Sequence, residues 1–195
     1  QALYKAFYQP DEHTYGVQGA DAFALDIGLG DVAMFDRLAA YYDETRQFDT
    51  GIFGTDVLLD LLFSRGRGKT ALRLLTSRKE YTFGYMMEAG ATTLWERWQG
   101  ANSHNHPMFG GCVTGIVNFL LGIRPMEQWG TYRQLQIAPC LPQNMNRASG
   151  HITTAWGEVH SAWERTETKT VFRLTVPEGV TAVFRYHGLE QNLHA

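Results

Sequence analysis

Apolar residues recur at helical spacing through the first half of the chain. In residues 32–45 they fall every three or four positions, at Val32, Phe35, Leu38, Ala39 and Tyr42. This spacing predicts an amphipathic helix, and Asp31 directly before it suits an N-cap. Residues 18–29, 55–65 and 69–77 predict three further helices, separated by loops that contain glycine. A succession of short helices favours an architecture of paired helices.

Two more helices are predicted before the pattern changes. Residues 92–98 form a short candidate helix with a threonine near its cap. Pro107 suits the first turn of a longer helix at residues 108–121, because its missing N–H group is not needed there. Gly122 follows directly and is expected to end this helix.

From Tyr132 onward the chain changes to short runs rich in β-branched and aromatic residues. These runs lie at residues 135–137, 150–154, 158–165, 171–176 and 181–186. In one of them the alternate positions Phe172, Leu174 and Val176 are all apolar, as in a strand with one buried face. The predicted fold is therefore mixed, with an all-α part at residues 1–130 and an antiparallel β-sandwich at residues 131–195. The boundary is expected near Gly130.

Composition narrows the functional classes. Hydrophobic residues make up 44% of the chain and charged residues 19%, which is ordinary for a globular protein. A net charge of −3 predicts no basic face for nucleic acid. No apolar run approaches the roughly 18 residues of a membrane-spanning helix, so no membrane partner is expected. The chain begins at Gln1 rather than methionine, so its compartment stays unknown.

Candidate chemistry is concentrated in residues 84–111, GYMMEAGATTLWERWQGANSHNHPMFGG. Carboxylates, tryptophans and histidines stand close together here, with glycines on both sides: Glu88, Trp95, Glu96, Arg97, Trp98, His104, Asn105 and His106. Carboxylates can transfer protons, and aromatic rings can pack on the apolar face of a sugar. Histidine and asparagine can hydrogen-bond hydroxyl groups. The combination predicts a polar and aromatic site of the kind that cleaves sugars.

Four motifs extend this interpretation to most of the chain. They are FDTGIFGT at residues 48–55, GYMMEAGATTLWERW at 84–98, SHNHPMFGG at 103–111 and LLGIRP at 120–125. Their order and spacing resemble the C-terminal part of bacterial α-L-rhamnosidases of glycoside hydrolase family 78. The resemblance runs from about residue 16 to about residue 183. It implies the C-terminal half of an (α/α)6 barrel followed by a β-sandwich. It also implies inverting cleavage of terminal α-L-rhamnose from rhamnose-containing oligosaccharides or glycosides, without a cofactor.

The resemblance also implies a role for Glu96. Its place in TTLWERW matches the glutamate that acts as general base in this family. The family's general acid comes from an acidic motif in the first half of the barrel, and no such motif precedes residues 48–55. The chain is therefore expected to be a C-terminal fragment, cut inside the barrel, that lacks the general acid and is inactive by itself.

Substrate contacts are expected from other residues of the same motifs. His106 matches a family histidine that contacts the sugar, and His104 is a second candidate. Glu88 could itself be the base, bind sugar hydroxyls or cap the turn near residue 92. Asp49 could line the pocket or stabilise a turn. The two histidines together with Glu96 could suggest a metal site, but no third dedicated ligand is obvious. No metal is therefore expected.

The two tryptophans have two interpretations. Trp95 and Trp98 are candidates for stacking on a sugar, but their spacing of three also suits packing in a helical core. One of the two is therefore expected to be a core residue.

Two other functions compete with the rhamnosidase hypothesis. One is an α/α-barrel glycosidase with a different sugar specificity, and the other is a carbohydrate-binding or structural module without catalysis. Half a barrel would also leave apolar helix faces in water, so either self-association of the fragment or a stability lower than its size suggests is expected.

Overall fold

The computed structural model describes residues 2–126 and 131–194. Within them the chain forms two compact units, a helical unit Gln1–Cys112 and a β unit Val113–Ala195. The predicted domain boundary near Gly130 lies outside the described residues. No helix in the described part of the chain has the length and apolar character needed to cross a membrane.

The helical unit contains six α-helices. They are α1 (Ala2–Phe7), α2 (Gln18–Asp26), α3 (Val32–Thr45), α4 (Gly54–Ser64), α5 (Gly68–Leu75) and α6 (Phe83–Glu88). The helices predicted at residues 18–29, 32–45, 55–65 and 69–77 correspond to α2, α3, α4 and α5. Helix α2 packs on α3 and α4, and α5 packs on the same two helices. Each of these four helices thus buries its apolar stripe against two neighbouring helices.

Helix α3 shows how the sequence sets the local structure. Of its predicted apolar positions, Phe35, Leu38, Ala39 and Tyr42 are buried, whereas Val32 at the first position is 75% exposed. The side chain of Asp31 caps the helix by accepting a hydrogen bond of 2.8 Å from the Met34 N–H group. That backbone bond is the main cause that lowers the pKa of Asp31 to about 2, with smaller contributions from His13 and Tyr8.

Replacing Asp31 with alanine should destabilise the helical unit by about 0.5–2 kcal/mol at neutral pH. The folded pKa lies below the usual value, so the stabilising charge is complete above about pH 4 and is lost as the pH falls towards 2. The difference between wild type and Asp31→Ala should therefore become smaller in acid, as measured by denaturant unfolding at several pH values. Asp31→Asn is the matched control, because it keeps the cap but does not titrate. An equal pH dependence in wild type and Asp31→Asn would contradict this account.

A buried carboxylate that the sequence did not single out ties the helices together. Asp21 of α2 is fully buried and forms an ion pair with Arg37 of α3. It also accepts hydrogen bonds from the Thr14 hydroxyl at 2.8 Å and the Tyr15 N–H group at 2.6 Å. These partners compensate the buried charge. Asp21 therefore holds the loop with Thr14 and Tyr15 against helices α2 and α3.

The helix predicted at residues 108–121 is present as three short consecutive pieces. A 3₁₀ turn (Pro107–Gly111) is followed by α7 (Cys112–Gly115) and by a π-helical turn (Ile116–Leu120). Gly122 follows in the left-handed region with φ 76°. A Cβ atom there would lie 2.3 Å from the Pro139 nitrogen, so only glycine fits this end.

In residues 113–126 and 131–194, the β unit contains seven strands in two sheets. The strands are β1 (Ile123–Pro125), β2 (Gln134–Ile137), β3 (Arg147–Thr154), β4 (Gly157–Arg165), β5 (Thr170–Thr175), β6 (Thr181–Tyr186) and β7 (Leu189–Leu193). One sheet has the order β1-β2-β6-β7 and the other the order β3-β4-β5. All pairs are antiparallel as predicted, except that β2 runs parallel to β6. The parallel pair is possible because the whole second sheet lies between these strands in the sequence.

The two sheets share one apolar core, as a sandwich requires. Buried residues come from both sheets, namely Ile123, Leu135, Ile137, Val159, Ala182 and Phe184. The ring of Phe172 in one sheet lies 4.9 Å from Phe184 and 4.7 Å from Tyr186 in the other, between ring centroids. Trp163 is also buried and donates a hydrogen bond of 2.7 Å to the Leu120 carbonyl.

Candidate functional site

A cavity of about 320 Å³ in the helical unit brings several predicted site residues together. Two loops form most of it, one before α4 and one after α6. Its lining residues are Phe48, Asp49, Thr50, Gly51, Tyr81, Glu96, Arg97, Trp98, Gln99 and Phe109. Apolar rings form one part of this wall and charged or amide groups another, which is the usual composition of a small-molecule site.

The loop after α6 is not helical, so the helix predicted at residues 92–98 is wrong. The N–H group of Glu96 bonds to the Ser103 carbonyl at 2.8 Å, and that of His106 bonds to the Leu94 carbonyl at 2.8 Å. These bonds place the two limbs of the loop side by side and replace the i to i−4 bonds of a helix. Gly100 turns the chain between the limbs with φ 77°.

Glu96 is held by the opposite limb of this loop. Its carboxylate accepts hydrogen bonds of 3.2 Å from the Ser103 N–H group and 3.2 Å from the Asn102 amide. The Ser103 bond is the largest cause that lowers the pKa of Glu96, followed by the Asn102 bond, with a smaller contribution from the charge of His106. The carboxylate is therefore ionised at neutral pH, oriented, and open to the cavity.

His106 is half-buried and carries an unused polar atom. Its Nε2 atom is buried and has no hydrogen-bond partner in the part of the chain that the structure describes. A buried nitrogen without a partner is costly, so such atoms mark strained or functional positions. His106 is not part of the cavity lining itself.

His104 is engaged within the loop. Its ring stacks on Trp95 with 4.7 Å between centroids, and its Nε2 atom lies 2.6 Å from the Gly100 carbonyl oxygen. Gly100 also lies against the Trp95 ring, where a Cβ atom would approach to 2.9 Å. Trp95 is only 7% exposed, because its ring is covered from within the loop.

Trp98 is the centre of an aromatic cluster. Its ring is parallel to Phe48 at 5.1 Å and lies 4.0 Å from Phe109, between centroids. Its indole N–H group donates a hydrogen bond of 2.8 Å to the Thr50 carbonyl. Trp98 is 5% exposed, so it borders the cavity mainly as part of the wall. Both tryptophans are thus buried, where one was expected.

Asp49 lies at the cavity wall and is exposed. It accepts a hydrogen bond from the buried Tyr42 hydroxyl. Burial and this bond to the carboxylate raise the pKa of Tyr42 far above its usual range, so the phenol stays a donor. The buried Tyr42 hydroxyl therefore fixes the position of one oxygen of Asp49.

Glu88 lies apart from these residues. It is the last residue of α6, is not in the cavity lining, and forms an exposed ion pair of 2.7 Å with Arg78. Its substrate role stays a prediction. In residues 2–126 and 131–194, no group of three His, Cys, Asp or Glu side chains is arranged to hold a metal ion.

Arg97, named with the candidate residues in the sequence, is exposed at the cavity wall. The sequence did not single out Gln99, which is also exposed there and lies three residues after Glu96. Tyr81 also lines the cavity, although it lies outside every motif. The position of Tyr81 depends on an unusual backbone conformation, which no pattern in the sequence predicts.

Family models match both units of the chain. The model for the bacterial α-L-rhamnosidase 6 hairpin glycosidase domain matches residues 1–120. The model for the bacterial α-L-rhamnosidase C-terminal domain matches residues 122–189.

Curated relatives carry the same description over much longer chains. The α-L-rhamnosidase of Alteromonas sp. (strain LOR) is 32% identical over 146 residues, or 69% of this chain and 16% of that protein. The α-L-rhamnosidase of Streptomyces avermitilis is 30% identical over 162 residues, or 77% of this chain and 16% of that protein. The chain therefore spans about a sixth of the length of these relatives.

Solved structures agree with the fold. The α-L-rhamnosidase from Dictyoglumus thermophilum has a TM-score of 0.82 at 28% identity, covering 93% of this chain and 22% of that one. The Streptomyces avermitilis α-L-rhamnosidase complexed with L-rhamnose also has a TM-score of 0.82 at 28% identity, covering 94% and 19%. The predicted second half of a six-hairpin barrel followed by a β domain is confirmed. The first family model alone matches more than half of the residues of this chain. The chain therefore belongs to the bacterial α-L-rhamnosidases of the six-hairpin glycosidase type.

Proposed function

We propose that this chain supplies the general base of an inverting glycosidase that releases terminal α-L-rhamnose. The observation that carries the proposal is the Glu96 carboxylate at the cavity, oriented by Ser103 and Asn102. A general base must be ionised and must reach a water molecule. The lowered pKa of Glu96 meets the first requirement, and its exposure to the cavity meets the second.

In this proposal Glu96 removes a proton from water while that water attacks the anomeric carbon. The oxygen of the departing group takes a proton from a carboxylic acid on the opposite side of the sugar, roughly 6.5–9.5 Å from the base. That acid belongs to a part of the barrel outside this chain. Attack from the face opposite the leaving group inverts the α linkage and gives β-L-rhamnose.

Asp49 and His106 are proposed to bind sugar hydroxyls. The Asp49 carboxylate accepts hydrogen bonds from the hydroxyls of Tyr42 and Tyr41, and its remaining lone pairs can accept one more from a sugar hydroxyl. The buried Nε2 atom of His106 lacks a partner among the described residues, and a hydroxyl group would satisfy it. His104, which contacts a backbone carbonyl, is proposed to hold the loop through its stack on Trp95.

Turnover of an aryl α-L-rhamnoside by the full-length protein tests this function. NMR of the first product formed should show β-L-rhamnose, because a single displacement inverts the anomeric carbon. Turnover of other aryl glycosides in preference to the rhamnoside would favour a different specificity. Binding of L-rhamnose without turnover would instead favour a carbohydrate-binding module.

The isolated 195-residue chain is proposed to self-associate through an apolar surface of the helical unit. Val17, Phe23 and Phe53 line a second hollow and are 60%, 43% and 65% exposed. Large apolar side chains clustered in water favour association of two such surfaces.

Sedimentation velocity should show that Phe53→Ser shifts the isolated chain towards the monomer. Phe53 makes no capping bond to α4, so the substitution removes none. Met87→Ser is the matched control, since Met87 is 73% exposed but lies outside the lining of both hollows. A monomeric wild-type chain at micromolar concentration would contradict this proposal.

A further inference from the structure

Tyr81 has a backbone conformation that tyrosine rarely adopts. Its φ angle is 60°, in the left-handed region where a Cβ atom crowds the following carbonyl oxygen. For a bulky residue this is a genuine outlier, and such outliers cluster at functional sites. Glycine would fit the position without strain, so the tyrosine side chain needs another reason to be there.

Hydrogen bonds on both sides hold this conformation. The Tyr81 carbonyl accepts a bond of 3.1 Å from the Phe48 N–H group, which belongs to the other cavity loop. The next residue, Thr82, is fully buried and caps α6 by accepting a bond from the Tyr85 N–H group. The Thr82 hydroxyl in turn lies 2.9 Å from the Ser77 carbonyl oxygen. Tyr81 is therefore clamped between α6 and the loop that carries Asp49.

This clamp places Tyr81 in the wall of the cavity that contains Glu96. Tyr81 is 37% exposed, whereas Trp98 is 5% exposed and Trp95 is 7% exposed. The Trp98 ring is enclosed by Phe48, Phe83 and Phe109, and Trp95 is covered by His104. Of the tyrosine and tryptophan residues that line the cavity, Tyr81 is thus the more exposed.

We propose that Tyr81, rather than either tryptophan, is the aromatic residue of this cavity that packs against the apolar C–H face of the sugar. The inference rests on the proposed function, because it names the residue that holds the same sugar for Glu96. The strained backbone is kept because it aims this ring into the cavity. Tyr81 is therefore a substrate-binding residue and takes no proton in the reaction.

Three substitutions in the full-length protein separate the ring from the backbone strain. Tyr81→Gly and Tyr81→Ala both remove the ring, but only glycine relieves the left-handed conformation. Both should raise KM for an aryl α-L-rhamnoside by about tenfold, which corresponds to the loss of one stacking contact. Tyr81→Phe keeps the ring and should leave KM within about twofold of wild type. The melting temperature should be higher for Tyr81→Gly than for Tyr81→Ala.

The results distinguish this inference from the proposed function. Wild-type turnover with an unchanged KM in both Tyr81→Gly and Tyr81→Ala would overturn the inference alone. A KM that is raised in Tyr81→Ala but normal in Tyr81→Gly would also overturn the inference. The backbone strain, rather than the loss of the ring, would then account for the change in KM. A wild-type protein that neither turns over the rhamnoside nor binds free L-rhamnose, by calorimetry, would overturn both.

Discussion

Glu96→Gln in the full-length protein should lower kcat by about 10²–10⁴-fold while substrate binding stays nearly intact. Glutamine keeps the size of the side chain, and its carbonyl can still accept one of the hydrogen bonds from Ser103 and Asn102. It cannot accept a proton from water. The acid on the other side of the sugar would still protonate the leaving group, so only the activation of water is lost.

Azide offers a direct test of that interpretation. The anion needs no deprotonation, so it can attack the anomeric carbon in Glu96→Ala, where the shortened side chain leaves room. Rate should return on adding azide, and the product should be a rhamnosyl azide of inverted, β configuration. A retained, α product would contradict the inverting mechanism.

Glu88→Gln is the matched control for these measurements. Glu88 forms an exposed ion pair with Arg78 and does not line the cavity, so its loss should change turnover little. Azide should not accelerate this variant. Near-normal turnover in Glu96→Gln, or azide rescue at Glu88, would show that Glu96 is not the base.

The pH dependence gives a second signature of Glu96. The Ser103 backbone bond lowers the pKa of this carboxyl below the usual range for glutamate. The base therefore stays ionised in moderately acidic solution, and the acidic limb of kcat/KM should fall only below that usual range. Asn102→Ala removes one of the hydrogen bonds that lower the pKa of Glu96. In this variant the acidic fall of kcat/KM should therefore move to higher pH.

Trp98→Ala should be the most destabilising single change at the cavity, by about 3–5 kcal/mol. The substitution removes a buried ring that contacts Phe48 and Phe109, and it leaves a void between the two cavity loops. Trp98→Phe should cost less, because the rings still pack. It would nevertheless remove the indole hydrogen bond to the buried Thr50 carbonyl, which keeps only the longer bond of 3.3 Å from the Thr55 hydroxyl, at a cost of about 0.5–1.5 kcal/mol.

Denaturant unfolding monitored on the helical signal measures this effect. Trp156→Ala is the control, since Trp156 is also a tryptophan but is exposed, and surface changes usually stay within about 0.5 kcal/mol. Equal midpoints for Trp98→Ala and Trp156→Ala would contradict the assignment of Trp98 to the core. Activity should fall together with stability, because Phe48 and Thr50 flank Asp49.

Local patterns were sufficient to predict most of the fold. The apolar stripe of α3 and the cap at Asp31 follow from neighbours in the sequence, and the structure contains both. Strand β4 alternates in burial as its residues suggest, with Val159, Ser161 and Trp163 facing inward. Such elements are predictable because a period of 3.6 or 2 residues decides which face is buried.

The candidate site was less predictable, because its geometry depends on contacts across loops. The motif with Glu96 looked helical, yet its backbone pairs with Ser103. One tryptophan was expected in the core, but both are buried, and rings distant in sequence, such as Phe48 and Phe109, cover Trp98. Tyr81 gave no signal, since a left-handed backbone at a tyrosine follows from tertiary bonds alone.

The parallel pairing of β2 with β6 has a consequence for the order of folding. During synthesis β1 and β2 emerge early, but the partner of β2 at residues 181–184 emerges only after the entire β3-β4-β5 sheet. Sheets with such long-range pairs form slowly, since a long loop must close before they gain any contact. The antiparallel β3-β4-β5 meander should therefore fold first, leaving one edge of β2 unpaired until β6 arrives. A nascent or C-terminally shortened chain would expose that edge, which is where aggregation of the β unit would begin.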